Sequence, residues 1–565
     1  MRTLAAVLIL LSGSLPAAAE LTTDQKISDF LNLAGVFAKR YAFLEWKQKA
    51  LGYNGLDVAP WLGQVRETKS DLEFFDLCAK YVAGFQDSHI AFLIESSFFA
   101  SLPISADVYS GKIVIDNIDR KSLPEKGYPF QVGDEIASIN AAPVSRLFNK
   151  LTPLMGNGNI ATTQRFAADA LFNHDQAVVP DASNIPGYAN IETINSQGVH
   201  QVRTLKWSKS GIPYTNVGPV PSPSTTATAD RTGRKAKDRA ATPVPEWEQH
   251  LTALHTFHLP RQRFLAGFDT LQPFFAMPNG FKQRLGNPMM DIYFTGTFPA
   301  GTHTIGFIRI PDFLFEDPVS LQAEIQFMEA NTDALVVDVT RNPGGDGCAV
   351  QDTASYLIPK PFQALGAQIR ATWDFVLQFE QDIQFAEFEG ATPAQIKILE
   401  QWANAVEAAY QEKRGFTKTL PLPCGNYSLT IDPATDSTNK VIAYTKPIIV
   451  LTDNLSASAA ELFAAIMQDN KRSTQFGTRT MGAGGAVFQV ILSTYMDAAI
   501  NLPEVILVRS HNITSDALPP APYIENFGVQ PDIEFDYQTL DNLIQQGKPF
   551  VDGFTAAVLK LIGPP

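Results

Sequence analysis

The chain has 565 residues, 45% of them hydrophobic and 18% charged, with a formal net charge of −14. That length exceeds one compact core and calls for about two to four domains. The acidic balance argues against general affinity for nucleic acid or anionic lipid, and three cysteines (Cys78, Cys348, Cys424) allow one bridge at most and leave an odd thiol.

Arg2, the apolar run Leu4–Leu11 and the small residues Ala17-Ala18-Ala19 have the form of an export signal over 1–19. The expected product is secreted, periplasmic or extracellular. The run is far shorter than the ~20 residues that span a bilayer. The later apolar run at Ile448 is interrupted by Lys446 and Asp453, so no integral membrane span is expected.

Residues 20–100 read as an N-terminal helical region. Phe30, Leu31, Leu33, Ala34, Phe37 and Ala38 repeat at helical spacing, and Leu21 to Arg66 is predicted helical throughout. A further helix runs from Asp71 to Phe85. Gln86-Asp87-Ser88-His89 opens a new segment, and Ile90–Ile94 reads as a strand.

Residues 101–212 form a β-rich module. In Val132-Gly-Asp-Glu-Ile-Ala-Ser-Ile-Asn140 a Gly-Asp turn precedes alternating apolar residues. This resembles the "GD.I..IN" segment of PDZ domains and implies a PDZ-like fold. Residues 213–246 change character: Pro219 to Thr226 is low-complexity and Arg231 to Arg239 is basic without interleaved aromatics. Such a segment buries too little to offset its ordering entropy, so it is read as an exposed, disordered or processed insertion, with no nucleic-acid role.

From 247 to 565 strands alternate with helices, which predicts an α/β core. Thr304–Ile310, Ala334–Val339 and Pro447–Leu451 are strands, the latter two apolar enough to be buried on both faces. Thr392 to Lys413 is a long helix. His250, His255 and His258 lack the HExxH pattern and no CxxC accompanies them, so no metal or other cofactor is expected. Cys348 follows a glycine turn; it reads as a small buried apolar residue rather than a nucleophile.

The chemistry concentrates in two segments. A buried strand ends at Leu451, and a helix begins near Ser458 with Leu462, Phe463, Ile466 and Met467 on its apolar face. Ser458 and Glu461 have capping-box spacing, so Ser458 fits a simple N-cap. The same position places a hydroxyl beside free backbone N–H groups at the positive end of the helix dipole, which suits a nucleophile and a developing oxyanion. The second segment is Thr340-Arg-Asn-Pro-Gly344-Gly345-Asp-Gly347 at a strand end, where glycines allow positive φ and close backbone approach. It fits a tight turn or half of an oxyanion hole.

Together these segments resemble the tail-specific (carboxyl-terminal processing) serine protease superfamily. The resemblance rests on Arg341-Asn-Pro-Gly-Gly, Ser456-Ala-Ser458-Ala-Ala-Glu461, Gln468-Asp-Asn-Lys-Arg472 and Gly477-Thr-Arg-Thr-Met-Gly-Ala-Gly484, in that order. It covers about Thr302 to Ile533 and implies Ser458 as nucleophile, within a core related to the crotonase/ClpP-like fold. The lysine of the superfamily's Ser-Lys dyad falls at Ala483, which cannot act as a base; Arg479 stays protonated. Another base is needed. The chain is closer to the Ser-His-Glu branch typified by tricorn protease and the chlamydial protease-like activity factor. That resemblance implies His89 as base and Glu525, in Tyr523-Ile-Glu525-Asn-Phe-Gly528, as the acid, with Asp346 an alternative. It also implies oxyanion donors at Ala459 and at Gly344 or Gly345, and a substrate strand beginning Gly484-Gly485-Ala486.

The expected activity is therefore serine endopeptidase action on protein or peptide substrates through an acyl-enzyme; a homodimer is left open. Two other classes remain: an inactive peptide-binding scaffold and an apolar-ligand-binding relative. Sequons stand at Asn426, Asn454 and Asn512. A glycan at Asn454 would crowd Ser458, which favours a bacterial host.

Overall fold

The computed structural model describes residues 20–214, 244–258 and 267–563, apart from 426 and 493. The export signal, most of the 213–246 insertion and the Asn426 sequon lie outside the described residues.

The N-terminal stretch is three helices, Thr23–Arg40, Leu44–Leu51 and Ala59–Glu67, not one. The first opens on a Thr22/Gln25 capping box. The second stops at Gly52, which takes a φ of 70°. The third carries Pro60 in its first turn, where a missing N–H costs nothing. Periodicity runs across these breaks because all three helices bury faces in one aromatic cluster containing Phe30, Phe37, Tyr41 and Phe85. Helix Asp71–Ala83 is capped by Ser70, whose hydroxyl accepts the Glu73 N–H. A turn carrying His89 follows, then strand Ala91–Ile94.

The β-rich module is an antiparallel sheet in the order Ile104–Tyr109, Lys112–Ile118, Glu135–Ile139, Tyr188–Ile194, His200–Lys206. It has its own core, in which Ile115, Ile136, Ala189 and Leu205 meet Ala168 of helix Ile160–Asp169.

Seven strands form the main sheet, in the order Lys282–Leu285, Phe294–Ala300, His303–Arg309, Ala334–Asp338, Ile448–Thr452, Thr474–Gly477, Ile533–Glu534. The first two pairings are antiparallel and the other four parallel. Strands Ala334–Asp338 and Ile448–Thr452 are buried at every residue. Leu335, Val337, Ile448 and Val450 face a core shared with Ile325 and Phe463. Val336, Ile449 and Leu451 face Phe550 and Phe554 of helix Lys548–Ile562. Burial on both faces explains their unbroken apolar runs.

A second sheet is built on the long strand Ala498–Ile513, which pairs with Ala91–Ile94, Gly366–Ile369, Gly485–Leu492 and Ala521–Tyr523. Ala91 pairs with Asn501. This pairing carries the N-terminal helical region, and the His89 turn with it, onto the α/β core. The helix read at 392–413 is Pro393–Gln411, and it follows a helix not read from the sequence, Trp373–Glu389.

The reading of Cys348 as a small apolar residue is corrected: Cys348 and Cys424 form a disulfide, and Cys78 is the odd, buried thiol. Asn454 is buried, with its amide oxygen 2.6 Å from Arg165 Nη1, so the folded chain has no room for a glycan there.

Candidate active site

Ser458 sits where the buried strand Ile448–Thr452 turns into helix Ala459–Asp469. Its backbone takes φ 60°, ψ −115°, a region that strongly favours glycine. The surrounding contacts impose it. Ala457 N–H donates to Asn342 O at 2.9 Å, and Ser456 Oγ lies 2.8 Å from Val339 O. Asp453 Oδ1 accepts the Arg341 N–H at 2.8 Å. The nucleophile turn is thus stitched to the Arg341-Asn342 turn at the end of the neighbouring strand.

Glu461, on the first turn of the same helix, fills a role the sequence showed only as a capping box. Its Oε2 accepts the N–H of Ser458 (2.9 Å) and of Ala483 (2.7 Å). Its Oε1 accepts the N–H of Gly482 (2.7 Å) and the hydroxyl of Thr480 (2.5 Å). Burial pushes its pKa up to about 7 against these four donors. The Thr480-x-Gly482-Ala483 spacing, together with Glu461, was the signal for this contact.

His89 Nε2 lies 2.7 Å from Ser458 Oγ, and both residues are fully buried. The His89 backbone N–H donates to Asp87 Oδ1 at 2.8 Å, and Asp87 Oδ2 accepts the Tyr41 hydroxyl at 2.8 Å. Ser88 Oγ accepts the Gly158 N–H at 3.0 Å, fixing the other side of the turn.

Glu525 is fully buried beside this pair. One ring nitrogen of His89 and one carboxylate oxygen each of Asp87 and Glu525 fall within 4.8 Å of one another. Glu525 Oε2 accepts the Gly484 N–H at 3.0 Å, and Oε1 is paired with the ammonium of Lys47. Gly484 must be small: a Cβ there would come 2.5 Å from the Glu525 nitrogen. Desolvation and the nearby Asp87 raise the Glu525 carboxyl, and Lys47 and the Gly484 N–H pull it back, leaving it at about 8. Lys47, on helix Leu44–Leu51, and Asp87 were not singled out from the sequence. The alternative acid Asp346 lies 3.1 Å from His255 Nδ1 and caps the helix that begins at Gly347.

Gly344 touches the nucleophile: a Cβ there would stand 2.8 Å from Ser458 Cβ and 2.9 Å from Ala459 N. Its N–H donates to Asn342 Oδ1 at 2.9 Å, so of the two expected donors, Gly344 or Gly345, the first is engaged within its own turn. The cause is local: the Asn342 side chain folds back over the Pro-Gly-Gly turn. Gly345 pairs with Phe257, and a Cβ there would lie 2.2 Å from the Phe313 carbonyl carbon. Ala459 opens the helix, where N–H groups have no intrahelical acceptor. Gly485 and Ala486 begin the strand Gly485–Leu492, which pairs with Ala498–Ile506. Ala483, at the dyad lysine's place, is buried among Met155, Phe166, Leu455 and Ala457.

Residues 304–535 match the model of peptidase family S41, and residues 99–214 match a PDZ domain model. The chain carries an S41 peptidase domain. That domain is of the serine type, as its motifs implied. An uncharacterised protein of Chlamydia muridarum is 24% identical over 96% of this chain and 94% of its own length, and a Chlamydia pneumoniae protein is 23% identical over 96% and 91%. A carboxy-terminal-processing protease of Bartonella bacilliformis is 34% identical over 16% of the chain. A solved structure of mature CPAF (chlamydial protease-like activity factor) complexed with lactacystin matches with a TM-score of 0.71 at 21% identity, covering 96% of this chain and 99% of that one. At that identity the likeness shows the fold. The S41 core, the PDZ module and the mixed α/β class therefore stand as read.

Among the described residues two sets of donors have metal-like spacing: His255, Asp346 and Cys348, and Asp87, His89 and Glu525. In the first, the cysteine sulfur is spent in the disulfide. In the second, the Lys47 ammonium already rests on Glu525. Both read as parts of the hydrogen-bond framework. Among the described residues no helix is long and apolar enough to cross a membrane.

Proposed function

We propose that this chain is a secreted serine endopeptidase in which Ser458 is the nucleophile, His89 its base and Glu525 the acid. The 2.7 Å contact between His89 Nε2 and Ser458 Oγ carries the reading. His89 takes the Ser458 proton as Oγ attacks the scissile carbonyl, and returns it to the leaving amine as the acyl-enzyme forms. Water then hydrolyses the acyl-enzyme by the same route reversed. The buried carboxylates of Glu525 and Asp87 stabilise the imidazolium formed in each half. Ala459 N–H receives the oxyanion. A Gly344 or Gly345 N–H is the second donor, and one such donor lowers the barrier by about 3 kcal/mol. Peptide substrate adds by main-chain pairing along the strand that starts at Gly485.

Ser458, His89 and Glu525 are all fully buried, so substrate reaches Oγ only after a covering element moves. A closed site fits a precursor that is cut within 213–246. A gel time course of wild type against Ser458→Ala tests this; identical fragments from both remove self-cleavage. Export is supported by the N-terminal signal and by the Cys348–Cys424 bridge, which persists in oxidising compartments.

The deciding experiment is labelling with a fluorophosphonate, in which Oγ displaces fluoride from phosphorus. Wild type should label at Ser458, and Ser458→Ala and His89→Ala should lose labelling by several orders of magnitude. An unlabelled wild type that still binds peptides would make the chain an inactive scaffold; one that binds lipid instead would make it an apolar-ligand carrier.

A further inference from the structure

Lys47 is a fully buried charge beside the proposed acid. Its ammonium meets three acceptors: Glu525 Oε1, Asn526 Oδ1 at 2.7 Å and Gln86 O at 3.0 Å. Three acceptors match the three N–H bonds of an ammonium. Each acceptor belongs to a segment that matters to the site. Glu525 is the acid, and Gln86 begins the turn that carries Asp87 and His89. Asn526 ties that turn to the acid, its Nδ2 donating to Gln86 O at 2.9 Å and to Gly158 O at 3.3 Å. Asn526 itself holds a φ of 64°. The neighbouring Trp46 adds an indole N–H to Asn526 Oδ1 at 3.1 Å.

We propose that Lys47 is a positioning residue of the peptidase site, acting through Glu525 and Asn526 to hold the acid and the His89 turn in register. The proposal rests on the peptidase reading above and adds to it a specific dependence on the helix Leu44–Leu51. Four groups face Glu525 in this pocket: Lys47, Asp87, His89 and the Tyr41 hydroxyl. Lys47 is the one whose charge favours an ionised Glu525 whatever the state of His89. Two buried acids beside one imidazole repel each other, and a fixed cation offsets that repulsion. Without it, Glu525 ionises only further above about 8, and the ionised fraction that partners the imidazolium shrinks at every pH below that.

The test uses the full-length chain and the fluorophosphonate labelling rate of Ser458 from pH 5 to 10. In wild type the rate rises as Glu525 loses its proton, at about pH 8. In Lys47→Met this rise should move to higher pH by one unit or more, with labelling at least tenfold slower at pH 7 and a gap that narrows by pH 10. Lys47→Gln, which keeps a donor but no charge, is the second variant should Lys47→Met not fold, and the same displacement is expected. Superimposable profiles, or a loss equal at every pH, overturn the proposal. Thermal melts provide a readout independent of catalysis. The melting-temperature deficit of Lys47→Met should widen above about pH 8, where Glu525 ionises in the wild-type fold but stays protonated in the variant. Adding Glu525→Gln should remove that widening. A widening deficit with a wild type that never labels would mean the ion pair is real and the peptidase reading, with the positioning role, is wrong.

Discussion

The carboxylate of Glu461 accepts the backbone N–H of Ser458, the residue three positions before it, at 2.9 Å. The same carboxylate gathers the Gly482 and Ala483 amides and the Thr480 hydroxyl, so one buried acid sets the shape of both the nucleophile turn and the loop facing it. Glu461→Gln keeps the volume but turns an NH2 toward N–H donors. It should destabilise the fold by about 2–4 kcal/mol, read by urea unfolding, and slow Ser458 labelling more than tenfold. Full activity with wild-type stability would show that the carboxylate is not needed there.

Ser458 pays for its position in backbone strain. With φ at 60° and ψ at −115°, Ser458→Gly should relieve about 1 kcal/mol or more of strain while abolishing labelling. A melting temperature above wild type in the inactive variant is the expected result. A fall would mean that the lost contact with His89 outweighs the strain.

Restoring a lysine at the dyad position should not restore a dyad. Ala483→Lys would place an ammonium among Met155, Phe166, Leu455 and Ala457, beside a Glu461 carboxylate already committed to four donors. It should destabilise by about 3 kcal/mol or more and give no labelling in a His89→Ala background. Labelling of that double variant would reopen the Ser-Lys mechanism.

Buried carboxylates, Glu461, Glu504 and Glu525 among them, make stability fall as pH rises. Glu461 and Glu504 are held at about 7 and Glu525 at about 8, in each case chiefly by desolvation. Between the unfolded carboxylate range near 4.5 and these values, the folded chain binds more protons than the unfolded one. Unfolding free energy therefore declines with pH across that window. Glu504 is fully buried, paired with Arg40, and stands on the strand that pairs with Gly485–Leu492. Glu504→Gln should flatten the decline between pH 5 and 7 while leaving the pH profile of labelling in place.

The Cys348–Cys424 bridge closes a separation of 76 residues and leaves the chain three positions after Gly345. Reduction by dithiothreitol, or Cys348→Ala with Cys424→Ala, should cost about 2–4 kcal/mol and loosen the glycine turn beside Ser458. Melting and labelling should fall together on reduction and recover on reoxidation. Unchanged labelling in the reduced chain would separate the bridge from the site.

The sequence by itself determined what is local. The buried strand running into helix Ala459–Asp469, the Pro-Gly-Gly turn after Ala334–Asp338 and the Gly-Asp turn of the PDZ module are set by neighbours a few residues apart. Their periodicities and turn residues therefore show in the string, and the S41 motifs lie among them. Only the tertiary structure decided which charges meet. Lys47 and Glu525 are 478 positions apart, and His89 reaches Ser458 across 369. Those meetings depend on strand Ala91–Ile94 pairing with Ala498–Asn501 and on helix Leu44–Leu51 packing over the turn at Asn526. Pairing over such distances leaves no periodic trace, because each partner's local pattern is satisfied without the other. A lysine in an amphipathic helix looks solvated until the fold closes three acceptors around it.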